Sequence, residues 1–157
     1  MLTIPQLISK ETSRMHHKRI LIVDDDDIAS MVLELAIEHL LPDCQIITTW
    51  NGSAALAELK KQSFDLIVTD YKMPRMNGLD FTQAVRQISQ DIPPIILITG
   101  GYSYDEIQAK TGSENLAGFL TKPFTLLQLR EVLCQSGILN EYSLVESHLY
   151  KPVKSMI

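Results

Sequence analysis

Four short apolar runs in this chain each end on a different reactive side chain, and that pattern constrains both fold and chemistry. They are Ile20-Leu21-Ile22-Val23 before Asp24-Asp25, Leu66-Ile67-Val68-Thr69 before Asp70, Ile95-Ile96-Leu97-Ile98 before Thr99, and Gly118-Phe119-Leu120-Thr121 before Lys122. Short apolar runs bounded by turn residues predict strands buried on both faces, as in a parallel sheet. Parallel strands bring their C-terminal ends to one edge, where open α/β sheets hold their ligands. Three carboxylates, a hydroxyl and an ammonium then converge in one cleft. That is the inventory of a phosphoryl-accepting site.

The segments between the runs carry helical periods. Ile28, Met31, Val32 and Leu35 recur at i, i+3, i+4 and i+7, one face of a helix. It should end near Leu41, because Pro42 disfavours helical geometry in the residue before it. A strand is expected over Gln45 to Thr49, then a helix opened by Asn51-Gly52-Ser53 with Ala55, Leu56 and Leu59 inside. A third strand, Phe64 to Asp70, leads to a helix that turns Phe81, Ala84, Val85 and Ile88 inward. Pro93-Pro94 precedes the strand Ile95 to Thr99. Tyr104 to Leu116, interrupted by Gly112, has few apolar residues and the faintest helical pattern. The last helix starts at Thr125, with Gln128 at capping-box spacing. It should bury Leu126, Leu129 and Leu133 and stop at Gly137, a favoured residue just past a helix end. Five β–α units predict a doubly wound α/β sheet with helices on both faces.

With 157 residues, 45% apolar and 21% charged, the chain supports one domain with a core. The expected division is an N-terminal extension at 1–17, a domain at 18–136 and a tail at 137–157. A net charge of -5, without a zinc-finger or basic-helix pattern, argues against direct nucleic-acid binding. Cys44 and Cys134 lack CxxC spacing and read as two reduced core cysteines. No apolar stretch approaches the ~18 residues that cross a membrane. Nor does the N-terminus have a signal peptide's basic start and continuous apolar segment. The expected compartment is the cytoplasm.

The blocks Ile20-Leu21-Ile22-Val23-Asp24-Asp25, Asp65-Leu66-Ile67-Val68-Thr69-Asp70-Tyr71-Lys72-Met73-Pro74 with Asn77-Gly78, Ile98-Thr99-Gly100, and Lys122-Pro123-Phe124 resemble the CheY-like receiver domain of two-component response regulators. The similarity covers about residues 18–136. It implies a flavodoxin-like five-stranded sheet of order 2-1-3-4-5, an Mg²⁺-dependent aspartyl phosphate and a histidine kinase or phosphotransfer protein as donor. By the same resemblance Asp25 and Asp70 bind Mg²⁺ directly, Asp24 acts through water, and the backbone carbonyl of Lys72 adds a ligand.

Asp70 is the expected acceptor, at the end of the central strand. Nucleophile and phosphoryl group are both anionic, so charge must be neutralised before attack. Asp24 and Asp25 supply hard oxygen for Mg²⁺, whereas Asp26 and Asp27 read as a solvated loop. Lys122 is expected to pair with Asp70 at rest and with a phosphoryl oxygen after transfer, aimed by a Lys122–Pro123 bond that is typically cis in receivers. Thr99 should donate its hydroxyl to the phosphoryl group. Phe119 sits where receivers carry a switching aromatic; lacking a hydroxyl, it would act by packing, and a plain core Phe is the bland alternative. Lys72 places a cation near the phosphoryl group, with consequences for its lifetime.

Two other readings use the same residues. A haloacid-dehalogenase-type phosphatase would make Asp24 the nucleophile, but it needs an acidic pair after the lysine, and no Asp follows Asp105. A receiver-like scaffold that is never phosphorylated is the other. Twenty-one residues, 137–157, remain after the last helix, too few for an output domain. A stand-alone receiver or a piece of a hybrid kinase is therefore expected, working through a protein partner at the face of helix four, strand five and helix five. Leu144, Val145 and Leu149 leave open whether the tail caps the domain or joins a homodimer.

Overall fold

The computed structural model describes residues 17–111 and 116–140. Expectations on the N-terminal extension, on Gly112 and on the tail around Leu144 lie outside them. Five strands form a parallel sheet: β1 (Arg19–Val23), β2 (Gln45–Thr49), β3 (Leu66–Asp70), β4 (Ile95–Thr99) and β5 (Gly118–Thr121). Their order is β2-β1-β3-β4-β5. Between and after them run α1 (Asp27–Leu40), α2 (Gly52–Lys61), α3 (Gly78–Ile88), α4 (Tyr104–Thr111) and α5 (Leu126–Gln135). The flavodoxin-like order implied by the resemblance is the one found.

Side chains alternate across a strand, so every strand feeds two cores. Ile20, Ile22, Leu66, Val68, Ile96, Ile98 and Leu120 pack with Leu33, Ile37 and Leu40 of α1 and with Leu129 and Leu133 of α5. On the opposite face Leu21, Val23 and Ile67 meet Ala55 of α2 and Phe81 and Val85 of α3. Leu97 packs with Leu79 and Ile107 there. Burial on both faces explains why the strands read as continuous apolar runs. The sequence places two reactive groups, Asp70 and Thr99, as the last residues of neighbouring strands β3 and β4.

Three helical readings change. Ile28, Met31, Val32 and Leu35 lie on α1 but face solvent, between 56% and 71% exposed. The buried stripe is Ser30, Leu33, Ile37 and Leu40. Both stripes have helical period, and only docking on the sheet chooses between them. Ile88 and Leu126 are also exposed, each the terminal residue of its helix. Period marks a helix face without marking where its cover ends. In contrast, the Thr125–Gln128 capping box is complete, and Gly137 has a φ of 79°. Among the described residues no helix is long and apolar enough to cross a membrane.

Candidate functional site

At the C-terminal edge of the sheet, Asp24 leaves β1, Asp70 closes β3, Thr99 closes β4 and Lys122 follows β5. Asp24, Asp70 and Thr99 are at most 8% exposed, and Asp25 is exposed beside them. Carboxylate oxygens of Asp24, Asp25 and Asp70 all lie within 4.8 Å of one another. Three negative charges that close repel, and two of them are largely withdrawn from water.

Lys122 is the cation that bridges the two buried ones, Asp24 and Asp70. Its Nζ donates to Asp70 Oδ1 at 2.8 Å and to Asp24 Oδ2 at 2.9 Å. The second bond was not expected from the sequence, which paired the lysine with Asp70 alone; nothing in the chain's spacing distinguishes a lysine that reaches one carboxylate from one that reaches two. Burial pulls the Lys122 pKa down, but the hydrogen bonds to Asp70 and Asp24 outweigh it and leave it raised. The Lys122–Pro123 bond is cis.

The other oxygens are also held. Lys72 N–H donates to Asp70 Oδ2 at 2.7 Å, and Asp26 N–H to Asp24 Oδ1 at 3.0 Å. Burial pushes the Asp70 carboxyl above its ordinary value, and the hydrogen bond from Lys122 opposes that rise without cancelling it. Asp26, expected to be a solvated loop charge, caps α1: its Oδ1 accepts from Ile28 and Ala29 N–H at 2.9 and 3.0 Å. A capping carboxylate at a helix N-terminus satisfies donors that the helix cannot. Its spacing before an apolar-periodic segment was a legible capping signal.

Thr99 Oγ1 is buried and has no hydrogen-bond partner among the described residues. A buried hydroxyl without a partner costs free energy, so its position calls for an explanation in ligand binding. Thr99 lines the cleft together with Lys72, Met73, Pro74, Gly100, Gly101 and Tyr102. Gly78 sets α3 close behind the acceptor: a Cβ there would come within 2.8 Å of Leu97 Cδ1 and clash with the carbonyl oxygen of Asp70.

Phe119 is not in the cleft. It is half-buried and meets the Tyr104 ring edge-on, 5.5 Å between centroids. Tyr102, at the cleft's rim, was missed in the sequence, since no spacing rule singles it out.

The acidic trio itself offers only carboxylate oxygens, the ligand type that Mg²⁺ prefers. Its coordination distances of ~2.0–2.1 Å put opposite ligands about 4.2 Å apart, so the trio fits with small side-chain adjustments. Asp24, Asp25 and Asp70 are the residues that would hold it, with the Lys72 backbone as a neighbour.

Residues 20–134 match the family model described as response regulator receiver domain. The chain is 33% identical over 117 residues to the chemotaxis protein CheY of Pseudomonas aeruginosa, covering 72% of this chain and 90% of that protein. It is 30% identical to the sensor histidine kinase GacS of Pseudomonas protegens, covering 79% of this chain and 14% of the kinase. It spans 51% of the probable transcriptional regulatory protein TcrX of Mycobacterium tuberculosis, at 28% identity over 76% of this chain. Among solved structures, CheY4 of Vibrio cholerae matches with a TM-score of 0.67 at 30% identity, covering 76% of this chain and 98% of that one. The response regulator TrrA of Thermotoga maritima, in complex with Mg²⁺ and BeF, matches with a TM-score of 0.65 at 28% identity, over 76% and 98%.

Proposed function

This chain belongs to the response regulator receiver domain family, signalling modules of two-component systems, and from that premise we propose that it accepts a phosphoryl group on Asp70 from a protein phosphohistidine. The observation that carries the reading is an acidic trio, two of whose carboxylates one lysine bridges, beside a buried threonine hydroxyl with no partner among the described residues. An Asp70 carboxylate oxygen forms the new bond to phosphorus, and the phosphorus–nitrogen bond to the donor imidazole breaks. The electron pair of that bond leaves with the imidazole. Lys122 moves its donors from the carboxylates to a phosphoryl oxygen, and Thr99 gives its hydroxyl to another. Bound Mg²⁺ supplies positive charge against the phosphoryl oxygens. A domain at 18–136, in the cytoplasm, is the proposed unit.

With Mg²⁺ and acetyl phosphate, the chain should gain one acid-stable, base-labile phosphoryl group, mapped by peptide mass spectrometry to Asp70. Label on Asp24 would favour phosphatase-type chemistry instead. No label under any donor would leave the unphosphorylated scaffold.

A protein donor must approach the cleft rim, and α1 begins there. Ile28, Met31, Val32 and Leu35 form an exposed apolar stripe running from that rim along the helix, an area suited to a protein partner. The double variant Met31→Glu, Val32→Glu should slow transfer from a cognate phosphotransfer protein roughly tenfold, the effect of about 1.4 kcal/mol of lost binding. Its labelling by acetyl phosphate should stay as in the parent. Equal slowing with both donors would place the defect in the cleft.

The proposed output face is α4, β5 and α5. Among the α4 residues whose side chains are described, only Ile107 is buried, and an element with so few buried contacts opens at low cost. A phosphoryl mimic at Asp70 should alter amide-exchange protection in Tyr104–Thr111 and around Phe119, and alter binding to a downstream protein or a second copy of the chain. Exchange changes confined to the cleft, with both kinds of binding unaltered, would speak against this face.

A further inference from the structure

Aspartates, Lys122 and Thr99 account for the floor of the cleft but not for its loop edge. Between β4 and α4 the chain passes through Gly100 and Gly101, and a Cβ at either would meet nothing within 4 Å. Tyr102 is therefore the first side chain after Thr99 to line the cleft. Being 37% exposed, it is not held by burial.

Two neighbours hold it instead. The Tyr71 ring meets it edge-on, with centroids 4.9 Å apart and planes at 72°. Lys110 Nζ stands 4.7 Å from the centroid of the Tyr102 ring. Both are favourable geometries for an aromatic ring. Tyr71 is itself fixed: its N–H donates to Ile98 O at 2.7 Å, and its carbonyl accepts from Gly78 N–H at 2.9 Å. It is also the residue directly after the acceptor. Lys110 comes from the last turn of α4. Tyr102 thus bridges the acceptor strand's end and α4, across a loop that two glycines would otherwise leave loose.

We infer that Tyr102, clamped between Tyr71 and Lys110, is a positioning residue that keeps the Gly100–Gly101 loop closed over the cleft edge and so prolongs the life of a phosphoryl group on Asp70. This rests on the receiver reading. In hydrolysis a water oxygen forms a bond to phosphorus, and the bond from phosphorus to the Asp70 oxygen breaks. Its electron pair returns to the carboxylate, and the water proton passes to solvent. The attacking water must come from the side opposite the breaking bond, which is the open side of the cleft. A loosened loop admits that water and lets Thr99 drift from the phosphoryl oxygen.

The test uses the full chain and three variants: Tyr102→Ala, Tyr102→Phe and Lys110→Met. Each is phosphorylated with acetyl phosphate, freed of donor, and followed by intact mass as the label decays. Tyr102→Ala should shorten the lifetime roughly three- to tenfold, the population change expected from one aromatic contact. Lys110→Met should shorten it less. Tyr102→Phe, which keeps the ring, should match the parent. In metal-free, unphosphorylated protein, amide exchange at Gly100–Ser103 should rise in Tyr102→Ala and not in Tyr102→Phe. Lifetimes of parent and Tyr102→Ala within about twofold, or equal loss in the Phe variant, would overturn the clamp. Unaltered exchange in Tyr102→Ala would do the same. If no variant and no parent takes label, the receiver reading and the lifetime claim fall together, while the exchange measurement still decides the clamp.

Discussion

Asp70→Asn should carry no phosphoryl label under conditions where the parent carries one, and it should be the more stable protein without Mg²⁺. The first half follows from position: Asp70 is the carboxylate at the end of the central strand, held by Lys122 on Oδ1 and by Lys72 N–H on Oδ2. The amide keeps one acceptor for Lys72 N–H but cannot attack phosphorus. The second half follows from charge. Asp70 has a raised pKa, chiefly because burial disfavours its charged form. A raised pKa means that the folded chain binds that proton more tightly than the unfolded one. Ionising Asp70 therefore costs stability as pH climbs from the ordinary carboxylate value through the raised folded one. Removing the charge should more than offset the lost Lys122 pairing and gain about 1 kcal/mol at pH 7, within the ~0.5–2 kcal/mol that single stabilising changes commonly give. The gain should shrink as pH falls through the raised folded value and be gone below the ordinary carboxylate value of about 4. Denaturant unfolding in chelator at pH 7 and pH 4 checks the sign. A variant less stable than the parent at pH 7 would mean that the Lys122 bond outweighs the burial of the charge.

Asp25→Asn and Lys122→Ala should move the Mg²⁺ response in opposite directions. For a ligand at 100 times its Kd, binding adds about 2.7 kcal/mol to the folded state. Asp25 is exposed, so its loss should leave the metal-free fold intact and act on the metal. A tenfold weaker affinity would cut the Mg²⁺ gain to about 1.4 kcal/mol. Lys122→Ala instead strands two buried carboxylates, and losing one partner of a buried pair costs roughly 3–5 kcal/mol. Mg²⁺ should restore much of that, so this variant should show the larger metal response while its phosphorylation is impaired. Thermal unfolding with and without Mg²⁺, alongside direct titration, reads both effects. Equal weakening of metal binding by the two substitutions would show that the division of roles between Asp25 and Lys122 is wrong.

Strand ends were legible because sheet burial imposes a simple rule. Ile20–Val23 and Ile95–Ile98 must be apolar on both faces, so the first polar residue after each run marks the edge where ligands bind, and in β3 the buried Thr69 intervenes before Asp70. Loop chemistry was partly legible as well: the Thr125–Gln128 spacing specified its capping box, and Gly137 took the positive φ that glycine permits.

What the sequence determined by itself was therefore the set of elements and the residues at one edge of the sheet, since both depend on short-range patterns. Only the tertiary structure decided which apolar stripe of α1 docks. Leu33, Ile37 and Leu40 compete on equal period with Ile28, Met31, Val32 and Leu35, and the sheet accepts the first set. It also decided that Lys122 spans Asp24 and Asp70, and that Tyr71, Tyr102 and Lys110 meet. The lysine is 98 and 52 positions from its two partners. A contact over that separation is set by how strands pair and loops close, and no local pattern in the chain encodes it.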